Sequence, residues 1–175
     1  MFCKGAVKLF DILRINKFVR EGKIDEIVLY INSLENKKTV INWLLYKLRK
    51  TNNAWVRHTI ALSMAELKCE KAVDILIPLI NRYCNTDNYS GLVFSLLELN
   101  CADKLIDIVH LMYDGNYMVR RYMADILILN WSRISSNDKA AIIDKLNNYV
   151  ARSAKNIRDL QDRYDGIDYI LDELT

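Results

Sequence analysis

Proline and glycine are scarce in this 175-residue chain. It has one proline and five glycines, too few for the many tight turns of an all-β protein. Hydrophobic residues make up 51% of the sequence, enough to fill one continuous core. We therefore expect a single all-α domain over residues 1–175, built from helices that are joined by polar turns.

Long apolar runs and export signals are also missing. No uncharged apolar stretch approaches the ~20 residues that a membrane-spanning helix needs. Lys8, Asp11 and Arg14 interrupt the amino-terminal segment, where a signal peptide would have an unbroken apolar core. We therefore expect a cytoplasmic protein that does not interact with a membrane.

Cysteine and histidine do not occur in metal-binding patterns. The four cysteines form no CxxC pair, and neither histidine has a cysteine or a second histidine at ligand spacing. We expect reduced structural thiols, no metal site and no cofactor. His58 and His110 are predicted to have structural or surface roles. The cysteines are Cys3, Cys69, Cys84 and Cys101.

The common enzyme signatures are absent as well. The chain contains no GxxxxGK[ST], GxGxxG, HExxH or GxSxG sequence, which are the patterns that mark phosphate-binding loops, dinucleotide sites, zinc proteases and serine hydrolases. We therefore predict a binding protein with no catalytic residues.

Internal repetition is the strongest feature that the sequence does have. Residues 52–80 read NNAWVRHTIALSMAELKCEKAVDILIPLI, and parts of this pattern return after 32 and 63 residues. Self-similarity at such a period indicates stacked helical pairs. The 32-residue shift places Met64, Glu66, Leu67, Cys69, Val73, Leu76 and Leu79 on Leu96, Glu98, Leu99, Cys101, Leu105, Ile108 and Leu111. The 63-residue shift places Val56, Arg57, His58, Ile60 and Ala61 on Val119, Arg120, Arg121, Met123 and Ala124.

The repeated unit resembles a HEAT repeat. Val56-Arg57 opens its first helix, the small residue Ala61 follows four positions later, and residues 72–76 (AVDIL) open the second helix. The resemblance covers about 52–151 and implies a short α-solenoid of stacked antiparallel helix pairs. It also implies that Arg57 and Arg120 are structural. Residues 1–51 depart from the pattern and are predicted to form amino-terminal capping helices.

Apolar spacing and turn residues set the expected helix boundaries. Glu21-Gly22 is predicted to stop the first helix, and Ser136-Asn137-Asp138 is read as a helix cap. The predicted helices cover about 6–20, 24–34, 40–48, 54–68, 71–83, 89–100, 103–112, 117–134, 138–151 and 153–174.

The two ends of the chain carry opposite charge. Residues 1–50 hold eleven Lys or Arg against five Asp or Glu, whereas residues 159–175 hold six acidic residues against Arg163 alone. Residues 152–175 are predicted to form an amphipathic helix with an acidic face. Aromatic and acidic groups together favour a basic protein partner. The predicted partner-binding residues are Asp159, Asp162, Asp165, Asp168, Tyr169, Asp172 and Glu173.

The basic amino-terminal third supports an alternative function. Its cations could meet phosphates, with Trp43 or Trp55 available for stacking, as in a HEAT-like nucleic-acid-binding or DNA-glycosylase-type protein; a bilin lyase-like HEAT protein is a further alternative. The pI of 8.6 is below the strongly basic value typical of nucleic-acid binding, and residues 43–46 (WLLY) read as core. We therefore do not expect nucleic acid as the partner. The cations are Lys37, Lys38, Lys47, Arg49 and Lys50.

Size, composition and architecture also resemble immunity proteins of bacterial contact-dependent growth inhibition systems. High Asn, Lys, Ile and Tyr content is typical of an AT-rich bacterial gene. The resemblance implies that the chain neutralises a toxin domain, often a nuclease, by covering its active site, without specifying an oligomeric state. A second protein-binding hypothesis is an aromatic strip near the repeat ends, formed by Tyr83, Tyr89, Tyr113, Tyr117, Tyr122 and Trp131.

Overall fold

The computed structural model describes residues 9–83, 86 and 89–153, and in these residues it is helical without any strand. The predicted all-α class is confirmed for this part of the chain. Short 3-10 turns at Glu70–Ala72, Ala102–Lys104 and Trp131–Arg133 connect some of the helices. The helices are α1 (Leu9–Glu21), α2 (Ile24–Ser33), α3 (Lys37–Lys50), α4 (Ala54–Glu66), α5 (Val73–Tyr83), α6 (Ser90–Leu97), α7 (Leu105–Ile108), α8 (Leu111–Asp114), α9 (Tyr117–Asn130) and α10 (Ser136–Ser153).

One predicted helix is interrupted. The pattern over 103–112 predicts a single helix, but α7 ends at Ile108 and α8 begins at Leu111. In a continuous helix Leu111 would point about 120° away from Leu105. Both leucines are buried, and Val109 and His110 between the two helices keep right-handed helical dihedrals, so the interruption is confined to the hydrogen-bond pattern. The helix predicted over 117–134 also ends early, because α9 gives way to a 3-10 turn after residue 130.

Asparagine and serine side chains cap the first turns of α4 and α10. Asn53 Oδ1 accepts a hydrogen bond from the Val56 amide at 3.0 Å at the start of α4. The Ser135 hydroxyl accepts from the Asp138 amide at 3.1 Å and donates to its carboxylate at 2.7 Å. The cap of α10 is therefore Ser135, one residue before the predicted Ser136–Asp138 signal.

Left-handed backbone conformations end two helices. Gly22 has a φ of 72° and follows α1, as its predicted role as a stop requires. Lys68 has a φ of 49° after α4. The Lys68 and Cys69 amides donate to the Ala65 and Met64 carbonyls, which forms a Schellman turn.

A single apolar core runs through the described helices. α4 packs against α2, α3 and α6, and α6 in turn packs against α5 and α9. α8 packs on α9, and α10 packs on α7. Each fully buried Leu or Ile contributes about 1.5–3 kcal/mol. The largest buried side chains include Ile15, Ile27, Ile31, Leu44, Leu48, Ile60, Met64, Leu76, Ile80, Leu92, Leu96 and Leu105. None of the described helices is both long and apolar enough to cross a membrane.

Polar contacts join residues that lie one repeat apart. Their separations are 29 or 30 positions, close to the spacing of the sequence repeat. Similar positions in neighbouring copies therefore face each other across the helix interfaces. These contacts are Lys68 with Glu98 at 3.2 Å, Lys104 with Asp74 at 3.3 Å, His110 with Asn81 at 2.9 Å and Asn130 with the Cys101 sulfur at 4.0 Å.

Candidate functional site

The predicted acidic binding face lies outside the residues that the structure describes. Those residues end at 153, so the proposed contact surface stays a prediction from the sequence. The predicted helix over 153–174 also lies outside the described residues, except for residue 153, which is the last residue of α10. The residues concerned are Asp159, Asp162, Asp165, Asp168, Tyr169, Asp172 and Glu173.

Exposed aromatic rings lie on the surface of three neighbouring helices. On α4, Trp55 stacks on His58 with ring centroids 6.0 Å apart and planes within 6°. Phe94 on α6 meets Tyr122 on α9 edge to face, with centroids 6.3 Å apart. Trp55 is 57% exposed and Phe94 is 43% exposed. We call Trp55, His58, Phe94 and Tyr122 the aromatic strip.

Two glycines allow the aromatic strip to lie close to the backbone. A Cβ atom at Gly22 would overlap the Trp55 ring, and one at Gly91 would overlap the His58 ring. Gly91 and Phe94 are three residues apart on α6, so they share a side of that helix. The strip therefore continues from the α1–α2 turn across α4 and α6 to α9.

Further apolar side chains extend the surface along α9. Met118, Tyr122 and Leu129 have spacings of four and seven residues, which places them on one side of the helix. Met118 is 37% exposed and Leu129 is 59% exposed. Contiguous exposed apolar surface marks interaction sites, and aromatic residues dominate the energy of protein interfaces. The arrangement is suited to binding another protein.

His58 is partly buried within the aromatic strip. Its burial lowers the pKa of its imidazole, because a charged ring is disfavoured away from water. Among the described residues, no three His, Cys, Asp or Glu side chains lie together so as to hold a metal ion.

Arg57 is structural. It is only 2% exposed, its guanidinium lies 4.0 Å from the Tyr83 ring centroid, and its Nη1 donates to the Thr51 carbonyl at 3.3 Å. The resemblance to HEAT repeats predicts a structural arginine here. Arg57 reaches back to the turn before α4 through Thr51 and forward to Tyr83 on α5.

Two cysteines occupy equivalent, sheltered places. Cys69 and Cys101 each precede a 3-10 turn, as expected from their 32-residue spacing, and both are free thiols. Burial raises the pKa of Cys101 to about 12 and also raises that of Cys69. High thiol pKa values indicate unreactive, structural cysteines.

The structure separates the aromatic residues that the sequence grouped near repeat ends. Tyr122 belongs to the aromatic strip, whereas Tyr89 is buried and Tyr83 packs under Arg57. Trp131 is partly buried, with Lys139 over its ring. The side chains of Tyr113 and Tyr117 lie outside the described part of the chain.

One assignment drawn from the sequence needs correction, and one surface feature was not predicted. Tyr46 was predicted to be core with Leu44 and Leu45, but it is 63% exposed, because it lies on the opposite side of α3 from them. Trp55 and Phe94 were not singled out as a protein-binding pair. The available signal was their position opposite the buried stripe of their own helices.

No protein-family model, no curated protein and no solved structure matches this chain.

Proposed function

We propose that this protein is a non-enzymatic protein-binding module with a HEAT-like solenoid architecture. The repeat-spaced contacts such as Lys68 with Glu98 support this architecture, as does the packing of α4, α6 and α9 side by side. Solenoids of this kind present extended surfaces to their partners.

The observation that carries the protein-binding function is the exposed aromatic strip. A partner that covers Trp55 and Phe94 would remove a large aromatic surface from water, at about 25 cal/mol per Å² of apolar area buried. Side chains of this type are frequent hot spots. Stacking and edge-to-face contacts within the strip hold the rings in place, so little side-chain entropy is lost on binding.

We further propose that the partner is a toxin domain, with a nuclease as the expected class, and that this protein acts as its immunity protein. Size, helical architecture and composition support this proposal. In this scheme the aromatic strip supplies affinity, and the acidic residues of 159–173 attract a basic partner and accelerate association. The toxin is neutralised because its active site is covered.

The proposal implies that a gene beside this one encodes the toxin domain, and co-expression of the two proteins tests it. Cells that produce the toxin domain alone should stop growing, and cells that also produce this protein should grow and yield a stable complex. A toxin that kills equally in both strains, with no complex recovered, would contradict the immunity function.

Charge reversal tests the role of the acidic segment. Replacing Asp162, Asp165 and Asp168 with Lys should slow association with the toxin domain and make it less sensitive to salt. The matched control replaces Lys37, Lys38 and Lys50 with Glu, which changes as many charges at the other end of the chain. Equal effects of the two triple variants would rule out a specific acidic face.

A further inference from the structure

Three large apolar side chains lie exposed at the start of α1. Leu9 is 72% exposed, Phe10 is 65% exposed and Leu13 is 59% exposed. In an α-helix these three positions lie within an arc of about 100° on one side. α1 packs on the core from the opposite side, where Ile15 and Val19 are fully buried. The helix therefore presents an apolar surface to solvent in addition to its core-facing side.

Positive charge continues this side of α1 towards the end of the helix. Lys17 lies seven residues after Phe10, and Arg20 lies seven residues after Leu13, so both cations follow the apolar side chains along the helix axis. Both are exposed. Lys17 lies 3.9 Å from the Glu21 carboxylate, and Arg20 has no ion pair within the described residues. The cations are therefore accessible to an anionic partner.

α3 extends this surface beside α1. Lys47 on α3 donates a hydrogen bond to Asn16 Oδ1, and Asn16 lies one turn after Leu13 on α1. Tyr46 precedes Lys47 and is 63% exposed, and Lys50, one turn after Tyr46, is exposed as well. We call Leu9, Phe10, Leu13, Arg20, Tyr46 and Lys50 the amino-terminal face.

α2 carries an exposed leucine in the opposite electrostatic setting. Leu29 is 70% exposed. Asp25 and Glu26 lie four and three residues before it and are also exposed, so they share its side of α2. The amino-terminal face contains no acidic residue. The combination of exposed apolar and basic side chains thus belongs to α1 and α3 and not to the helix between them.

We propose that the amino-terminal face binds the surface of an anionic lipid bilayer, a function separate from that of the aromatic strip. Leucine and phenylalanine side chains enter the boundary between headgroups and acyl chains, while lysine and arginine are attracted to anionic headgroups. Tyrosine is enriched at the same depth. Nucleic acid offers phosphates to the cations but no apolar layer to Leu9, Phe10 and Leu13, so the exposed side chains favour a bilayer.

Binding of this kind requires no membrane-spanning segment. A helix that lies on a bilayer needs an apolar side and nearby cations, whereas a spanning helix needs a long uncharged run. The expectation of no membrane interaction came from the missing spanning segment, which surface binding does not require.

Sedimentation of the full chain with vesicles tests the amino-terminal face. Vesicles of equal parts phosphatidylglycerol and phosphatidylcholine should bind the chain at least tenfold more tightly than vesicles of phosphatidylcholine alone, because only the former attract cations. Phe10→Ser and Leu13→Ser should each weaken this binding at least fivefold, since each removes an inserted apolar side chain. Leu29→Ser is the matched control, because it removes a similarly exposed leucine beside acidic residues, and it should change binding less than twofold. Thermal melting of each variant verifies its folding.

Charge and competition experiments identify what the face binds. Replacing Arg20 and Lys50 together with Gln should weaken binding to the phosphatidylglycerol vesicles at least fivefold. Glycerol phosphate in solution should not displace the chain from these vesicles, because it offers no apolar layer. Displacement by it would show that a free phosphate is sufficient and would contradict a bilayer as the partner.

Three further results would overturn the proposal. The first is equal binding to both kinds of vesicle, or no binding to the phosphatidylglycerol vesicles. The second is a loss in Leu29→Ser as large as that in Phe10→Ser. The third is self-association of the chain that Phe10→Ser abolishes while vesicles do not bind, which would assign the face to a second copy of the chain.

Discussion

Asn53 and Asn116 lie 63 residues apart and cap equivalent helices in the same way. Asn53 Oδ1 accepts from the Val56 amide, and Asn116 Oδ1 accepts from the Val119 amide at 3.2 Å and from the Met118 amide at 3.1 Å. The offset equals that between the Val-Arg pairs at 56–57 and 119–120. The repeat is therefore conserved in hydrogen bonding as well as in apolar pattern.

The two asparagine caps predict similar losses of stability when either side chain is removed. Asn53→Ala and Asn116→Ala should each lower the free energy of unfolding by about 1 kcal/mol, because the first turn of α4 or α9 loses a side-chain acceptor. Urea denaturation followed by circular dichroism measures the change. Asn52→Ala, at an exposed neighbouring position, should have little effect, and a loss equal to that of Asn53→Ala would argue against the cap.

The contact between Gly91 and His58 predicts that Gly91→Ala changes stability in opposite directions in the natural chain and in a His58→Ala variant. Gly91→Ala should destabilise the natural chain by about 1–3 kcal/mol, because the new methyl group overlaps the His58 ring. In a His58→Ala background the same change should stabilise the fold by about 0.5–1 kcal/mol, since alanine is the better helix former. Denaturation of all four proteins measures the coupling, and additive effects would contradict the contact.

His58 also predicts a dependence of stability on pH. Because burial lowers its pKa in the folded state, the unfolded chain binds a proton more readily than the folded chain does. The contribution of His58 is complete above its unfolded pKa of about 6.5 and is lost as the pH falls through the lower folded value. The unfolding free energy should thus fall on acidification more steeply in the natural chain than in His58→Gln. Parallel pH profiles would contradict this assignment.

The buried thiol of Cys101 predicts slow chemical modification. At pH 8 its pKa of about 12 leaves very little thiolate, and thiolate is the reactive form. Peptide mapping after treatment with iodoacetamide should show Cys69 modified before Cys101, because Cys69 is only partly buried. Rapid labelling of Cys101 in the native protein would show that this region opens readily.

Local signals in the sequence predicted much of the fold. The stop at Gly22 and the start of a helix at residue 54 depend on neighbouring residues, and both agree with the structure. The interruption before Leu111 affects the hydrogen-bond pattern alone, and no glycine or proline within 103–112 marks it in the sequence. The cap of α10 was placed one residue too late for a similar reason. Ser135 and Ser136 are adjacent serines, and both are suitable N-cap residues.

The aromatic strip was the harder feature to predict. Trp55 lies between apolar residues in the sequence, and Phe94 lies within the apolar run 92–97, so both resemble core positions. Their exposure depends on tertiary neighbours; a Cβ atom at Gly22 would overlap the Trp55 ring, and one at Gly91 would overlap the ring of His58. Periodicity places both rings opposite the buried stripe of their own helices, but it does not show which neighbouring helices leave that side uncovered.

The affinity of the purified toxin domain for aromatic-strip variants tests the proposed function most directly. Trp55→Ala and Phe94→Ala should each raise the Kd by about 30-fold or more, the effect of losing a hot spot, while Tyr46→Ala, which removes an exposed aromatic ring elsewhere, should leave it unchanged. Melting temperatures serve to confirm that all three variants fold. A Kd that stays the same in the Trp55 and Phe94 variants would contradict the proposal that the strip binds the partner.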